Sequence, residues 1–445
     1  MENKNGIIKN LIYLSIPTVI EQILSTLLQY VDTAMVGHLG EEATAAVSTT
    51  ATIGWLVGSL MYAPGVALLS LMSQAVGRGE KEEIKKLASQ SIYLVLGVAV
   101  VLGALSVGLA PYIPIWMGTA ENVRAAATEY FVIISLPMVF RASTIIFGAT
   151  IRANLDTKTP MYVNLAANVV NVVLDYLLIY TVGWGVRGAA VATAITHVCA
   201  GCAMFLVFRK KAALHFAWRD ARFDSETMKK IAAIAVPSIG TDLTAMLGYV
   251  FFAGMVSHMG TTVFAAHSIA VEAETLFYIP GYGLRTATSA MTGVSIGENN
   301  EKKLRVVMRA SIIMTVALMA VSGCLLFFAG YPMMRLFTSS GAVASLGASM
   351  LKLVAFSEPF FGLMVVCQGI FYGMGRTKNV FFVEAFSMWG IRILFTYFVV
   401  NVWHLGLREV WFCMIADNIC KAILLSLSLI YVWKHKRWMQ TEEKI

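Results

Sequence analysis

Uncharged apolar runs about as long as a bilayer is thick recur along this whole chain, and that recurrence limits what it can become. Ser91–Leu109 and Ser311–Phe328 each carry no formal charge, and a helix needs about 18 to 20 such residues to cross the hydrocarbon core. Backbone polar groups in lipid must be satisfied within the segment, which makes runs of this kind helical. Only 13% of the 445 residues are charged and mean hydropathy is +0.71, against roughly 25% charged residues in soluble domains. An all-α, multi-pass membrane protein is expected.

Apolar runs and their breakers predict twelve helices, near 10–36, 46–76, 88–110, 128–151, 160–182, 187–208, 230–256, 263–296, 309–330, 347–372, 380–401 and 409–433. Lys and Arg alternate sharply across the loops between them. One side carries 25, including Lys4, Arg78, Lys86, Arg152, Arg219, Lys303, Arg376, Arg437 and Lys444, and the other only Arg124, Arg187, Arg335 and Arg408. Basic loops stay in the cytoplasm, so both termini are expected there, in an inner or plasma membrane. The N-terminus loosely resembles a signal peptide, but its apolar stretch continues to about Ala34, carries Glu21 and lacks a small-residue cleavage site. It reads as a retained first helix.

The net charge of +8 sits in short loops with no basic face or aromatic RNA motif, so nucleic acid is not an expected partner. All six cysteines fall in apolar segments. Cys199 and Cys202 form a lone C-x-x-C without the further ligands a metal or redox site needs. Small apolar core residues are expected there, with no metal and no cofactor.

The two halves match at an offset of 220 residues. Pro17 falls on Pro237, His38 on His258, Gly40 on Gly260, Ala45–Ala46 on Ala265–Ala266, Gly77 on Gly297 and Thr157–Lys158 on Thr377–Lys378. Six helices per copy give both the same orientation, so the expected architecture is two six-helix bundles related by a parallel repeat. The lobes are expected at 1–208 and 230–433, with a basic linker at 209–229 and a tail at 434–445. Transporters with such repeats bind substrate between or within the two bundles and alternate access by rocking them. At this offset Asp32 falls on Phe252 and Asp175 on Phe395, so the acids do not follow the repeat.

No G-x-x-x-x-G-K-[ST] occurs, and Gly77-Arg78-Gly79 sits in a loop too short to cradle phosphates. Ion coupling or passive conduction remains. Nine acids lie in the apolar segments: Glu21, Asp32, Asp175, Asp242, Glu272, Glu274, Glu358, Glu384 and Asp417. Each costs about 2.5–3.5 kcal/mol at a helix centre, so such groups usually face the bundle interior. Glu21 and Asp32 are three helical turns apart and share a face. Asn164, Asn168, Asn171 and Asp175 form one stripe, which can bind a proton or a cation, or hold helices together. Glu272 and Glu274 point to different faces, so at most one lines a cavity, and Glu274 is the choice. Asp417 and Lys421, four apart, read as a salt bridge, with Arg141, Arg285 and Arg392 available to neutralise other acids.

The stretch from Pro17 through Val31-Asp32-Thr33-Ala34-Met35-Val36-Gly37-His38-Leu39-Gly40 resembles the multidrug and toxic compound extrusion (MATE) family. So do Ser73-Gln74-Ala75-Val76-Gly77, Leu155-Asp156-Thr157-Lys158-Thr159-Pro160, Asn168 through Asn171 to Asp175, and Ala273-Glu274 through Pro280-Gly281-Tyr282-Gly283. The resemblance implies two six-helix lobes forming a V, and antiport of cationic or amphipathic small molecules against H⁺ or Na⁺. It implies a protonation site in the N-terminal lobe made by Asp32, Asp175, Asn171 and Thr193. The C-terminal cation site of other members is not matched, since its acids fall on Ala245 and Asn379. Asp242 and Glu274, with Glu272 nearby, are the second candidate site.

Two other functions are weighed. A flippase for lipid-linked or polysaccharide precursors calls for a wide basic cavity, whereas nine acids here face five bases (Arg141, Arg285, Lys352, Arg392, Lys421). An integral membrane enzyme is disfavoured by the lack of H-E-x-x-H or G-x-S-x-G and by seven dispersed histidines. Met and Phe, 24 each, can repack around varied ligands, though most will face lipid or pack. No motif specifies a partner chain, and a monomer in membrane lipid is expected.

Overall fold

The computed structural model describes residues 4–217, 221–436 and Trp438; Arg219, Arg437, Lys444 and most of the expected tail lie outside them. Among the described residues the regular structure is all helical. The spans are α1 (Lys4–Gly37), α2 (Glu41–Arg78), α3 (Lys81–Leu109), α4 (Glu121–Ser135 bent by 50° into Met138–Ala153), α5 (Lys158–Asp175, continuing as π-helix Tyr176–Thr181) and α6 (Gly185–Lys210). The second set is α7 (Ser225–Ser257), α8 (Thr261–Gly297), α9 (Glu301–Phe337), α10 (Gly341–Ala355 bent by 57° into Glu358–Gly373), α11 (Thr377 to Val402) and α12 (Leu407–Lys434).

Nine of these are long and apolar enough to cross a membrane, and eleven with each bent pair counted as one span. The twelfth, α8, is 37 residues long but carries Glu272, Glu274 and Arg285. Several helices outrun their apolar stretches. α9 was expected at 309–330, yet it begins at a cap where Asn300 Oδ1 accepts from the Lys303 N–H at 3.0 Å. Hydropathy marks only the part in hydrocarbon, while a helix runs on until its end groups find partners.

The repeat is written into the backbone. Positive φ recurs 220 residues apart at Gly40 and Gly260 (both 110°), Gly79 and Asn299 (70° and 50°), and Leu155 and Gly375 (60° and 75°). The bends of α4 and α10 obey the same spacing. The register then slips. The Val182 N–H donates to Leu177 O at 2.8 Å, and its counterpart is Trp403 N–H to Phe398 O at 2.8 Å, an offset of 221. Between Gly375 and Phe398, α11 carries a π-helical turn at Met388–Ile393, absent from α5, before the shared one at Phe398–Val402. A π-bulge takes up one extra residue. The counterpart of Asp175 is therefore Thr396, not Phe395; no acid stands there either.

Contacts divide the chain into one unit of Leu24–Ala235 and another of Met1–Ile23 with Val236–Ile445. The lobe expected at 1–208 thus gives its first helical turns to the other unit and takes the start of α7. Within the first unit, α6 meets α4 so closely that a Cβ on Gly201 would lie 2.5 Å from Phe140 O. Cys199 and Cys202 are exposed on α6, contrary to the core position expected; hydropathy does not distinguish a lipid-facing from a packed residue.

The segment between α6 and α7 starts at Lys211 and ends at Asp224, shorter than the 209–229 expected. It is docked on α3. Gln90 Nε2 donates to Arg222 O at 2.7 Å, Tyr93 OH to Ala221 O at 2.6 Å, and Lys86 Nζ lies 2.7 Å from Asp224 Oδ2. Lys86, together with hydrogen bonds from Thr227, holds the Asp224 carboxyl well below the usual range. Lys211 pairs with Asp156. Burial works against ionising Asp156, but hydrogen bonds from Lys211 and Thr159 outweigh it and keep its carboxyl low.

Candidate functional site

In the N-terminal unit, α5 carries the amide stripe inward. Asn168 Nδ2 donates to Ser25 Oγ on α1 at 3.0 Å, which sets α5 against α1. One and two turns further along, Asn171 Nδ2 and both oxygens of Asp175 have no hydrogen-bond partner among the described residues, although Asp175 is 0% exposed. Its neighbour is Asp32 of α1, half-buried, whose Oδ1 is also unpartnered. Ionised carboxylates only accept hydrogen bonds. A contact between two of them with no other donor is closed when one proton lies between them.

Tyr130 of α4 was not singled out from the sequence. It is buried, with its hydroxyl within electrostatic reach of Asp32, Asp175 and Arg141. A tyrosine in an apolar run gives no signal along a single chain. Thr193 is half-buried on α6 and makes no side-chain hydrogen bond to the acids among the described residues. Arg141 does not neutralise an acid as expected. Its Nη2 donates to Gly54 O at 3.2 Å, and its neighbours are Tyr62, Tyr130 and His197.

The C-terminal unit treats its charges differently. Arg392 Nε lies 2.8 Å from Asp417 Oδ2, Lys421 Nζ 3.0 Å from the same oxygen and 2.6 Å from Glu384 Oε1. The contacts to Asp417 are ionic by distance rather than aligned hydrogen bonds, while Lys421 to Glu384 is both. Asp417–Lys421 is the pair expected from spacing, and Arg392, set in the extra π turn, extends it. Asp242 and Glu274 are not brought together. Asp242 lies near Arg285 and Glu384, whereas Glu274 lies near Arg392 and the buried Glu358. Glu272 is exposed.

Against this geometry stand the comparisons. The MatE family's sequence model matches residues 17–177 and again 237–398. The chain belongs to the MatE family. The two matches begin 220 residues apart and end 221 apart, which is the slip seen in the backbone. A MatE relative from Thermotoga maritima, a probable multidrug resistance protein NorM, is 28% identical over 98% of this chain and 95% of its own. The probable multidrug resistance protein YoeA of Bacillus subtilis is 24% identical over 98% and 96%. Among solved structures, a MOP superfamily transporter from Pyrococcus furiosus superposes with a TM-score of 0.91 at 24% identity, covering 97% of this chain and 96% of that one. The Vibrio cholerae MATE transporter VcmN gives 0.91 at 18% identity, covering 98% and 99%. These structures share the fold, and the chain is a multi-pass membrane protein.

Proposed function

We propose that this chain exports cationic or amphipathic small molecules across the plasma membrane by alternating access, in exchange for protons, with Asp32 and Asp175 as the coupling pair. The observation that carries the reading is that contact: two carboxyls side by side, with no other donor among the described residues for three of their four oxygens. A proton taken into the pair removes one negative charge, and a cationic substrate competes for the same charge. Asn171 and Tyr130 would orient the pair, and Thr193 would complete the lining. The names of the relatives support small-molecule export.

Coupling to Na⁺ through Asp242 and Glu274 has less support, because each faces a different arginine. The basic loops favour cytoplasmic termini. The test is efflux of a fluorescent cation from proteoliposomes under a pH gradient alone, then a Na⁺ gradient alone. One proton per cycle supplies about 1.4 kcal/mol per pH unit, enough for about tenfold accumulation. Asp32→Asn and Asp175→Asn should abolish that accumulation. Accumulation that survives both substitutions removes the pair from the mechanism, and drive by Na⁺ alone moves the site to the other unit.

A further inference from the structure

Two cavities open along one face of α3, one polar and one apolar. The polar one, of about 600 Å³, lies where the segment between α6 and α7 is docked; Lys85, Lys86 and Ser89 of α3 and His215, Phe216 and Arg222 of that segment line it. The apolar one, of about 250 Å³, is lined by Ile92, Val95 and Leu96 of α3, Phe147 of α4, and Cys202 and Phe205 of α6. Its one hydroxyl, on Ser143, is spent on Val139 O at 2.8 Å. Lys85, Ser89, Ile92 and Leu96 follow at spacings of four, three and four, which is a single helix face. On α6 the buried Phe208 bridges the two cavities: its ring lies 6.5 Å from that of Phe216 and 4.4 Å from that of Phe147.

Charge and depth fit one kind of molecule. Lys86 lies 2.7 Å from Asp224 and Lys85 2.8 Å from Glu82, the latter pair exposed and so weakly held. Arg222 is exposed, and its side chain enters no hydrogen bond or ion pair among the described residues. Lys85, Lys86 and Arg222 against Glu82 and Asp224 leave one positive charge over in the polar cavity, where exposed His215 adds a further polar group. Val95 is nine residues from Lys86, about 14 Å along the axis, and the hydrocarbon of one leaflet is about 15 Å deep. The apolar cavity is open to its surroundings, since Leu96 is 50% exposed and Cys202 is exposed, and in a multi-pass membrane protein those surroundings are lipid.

We infer that the two cavities form one seat for an anionic glycerophospholipid from the leaflet on the side of the basic loops. Its phosphate sits among Lys85, Arg222 and His215, and one acyl chain lies along Ile92, Val95 and Leu96. A soluble oxyanion would use the polar cavity alone and a neutral lipid the apolar one; the shared face and the surplus cation select a molecule with both parts. Guanidinium and ammonium groups bind phosphate oxygens through charge-assisted hydrogen bonds, and bases at a membrane surface attract anionic headgroups. The phosphate would bridge α3 and the segment 211–224, adding to the ties made by Lys86, Gln90 and Tyr93. The seat uses no residue of the coupling pair, so it stands or falls apart from the export reading.

The experiment titrates delipidated full-length protein in neutral detergent with phosphatidylglycerol or phosphatidylcholine and counts bound lipid by native mass spectrometry. One phosphatidylglycerol should bind about tenfold tighter than phosphatidylcholine, on the order of one charged hydrogen bond. Lys85→Glu with Arg222→Glu should erase the preference, while Lys85→Arg with Arg222→Lys should keep it, which separates lost charge from lost fold. Ile92→Trp, which fills the apolar cavity, should weaken phosphatidylglycerol binding. Glycerophosphoglycerol, the same headgroup without chains, should not displace the lipid at millimolar concentration. Equal affinity for the two lipids, a preference that survives the double charge reversal, or binding untouched by Ile92→Trp overturns the inference. Displacement by glycerophosphoglycerol overturns it as well, since the ligand would then be a soluble oxyanion.

Discussion

Two ways of burying charge coexist in this chain, and they respond oppositely to mutation. Glu384, Lys421, Asp417 and Arg392 run acid, base, acid, base, so the set is neutral and each member is needed by the next. Lys421→Met strands Glu384 and leaves Asp417 to Arg392 alone, and should lower stability by about 3–5 kcal/mol, read as thermal unfolding in detergent. Adding Glu384→Gln to Lys421→Met should recover part of that loss. In contrast, Asp175→Asn replaces a carboxylate that has no protein donor and faces another, so it should unfold no earlier than the wild type although coupling is lost. Asp417–Lys421 was legible because four residues are one helical turn. Glu384 and Arg392 completing it, Tyr130 beside the acid pair, and Arg141 bonding to a backbone carbonyl rather than to an acid were not, because each depends on which helix lies opposite.

At the scale of elements, the helices are set by close approaches and by two departures from regular α geometry. Gly201→Ala places a Cβ against Phe140 O and should cost about 1–3 kcal/mol as overpacking; Gly97→Ala on α3, where a Cβ would meet nothing within 4 Å, should be neutral in the same unfolding measurement. The bends in α4 and α10 come at Leu136-Pro137 and at Phe356-Ser357, ahead of Pro359, where a residue cannot continue the ladder. Twelve helices, the repeat and its offset could be read from hydropathy and matching residues. The one-residue slip could not, since a π turn leaves composition and periodicity almost unchanged. The outward-facing Cys199 and Cys202 escaped for a related reason: lipid and protein core are equally apolar.

At the scale of the molecule, the segment after α6 is a strap fastened to α3 by Lys86, Gln90 and Tyr93. Because Asp224 ionises at lower pH folded than unfolded, its contribution is full above about pH 4 and fades as pH falls below that value. Proteolysis within 211–224 should therefore accelerate under acid conditions, and Asp224→Asn should show the same acceleration at neutral pH. Topology can be checked with single cysteines in a cysteine-free background: an impermeant maleimide added outside cells should label Glu121→Cys and not Glu82→Cys. The extra residue in α11 also bears on how the gene can change. A copy of the first half, recombined into the second downstream of Gly375, would lack one codon. Side chains beyond the junction in that helix would swing by about 100°. The duplicated halves are thus no longer exchangeable, and the second copy is held to its own course by a single inserted triplet.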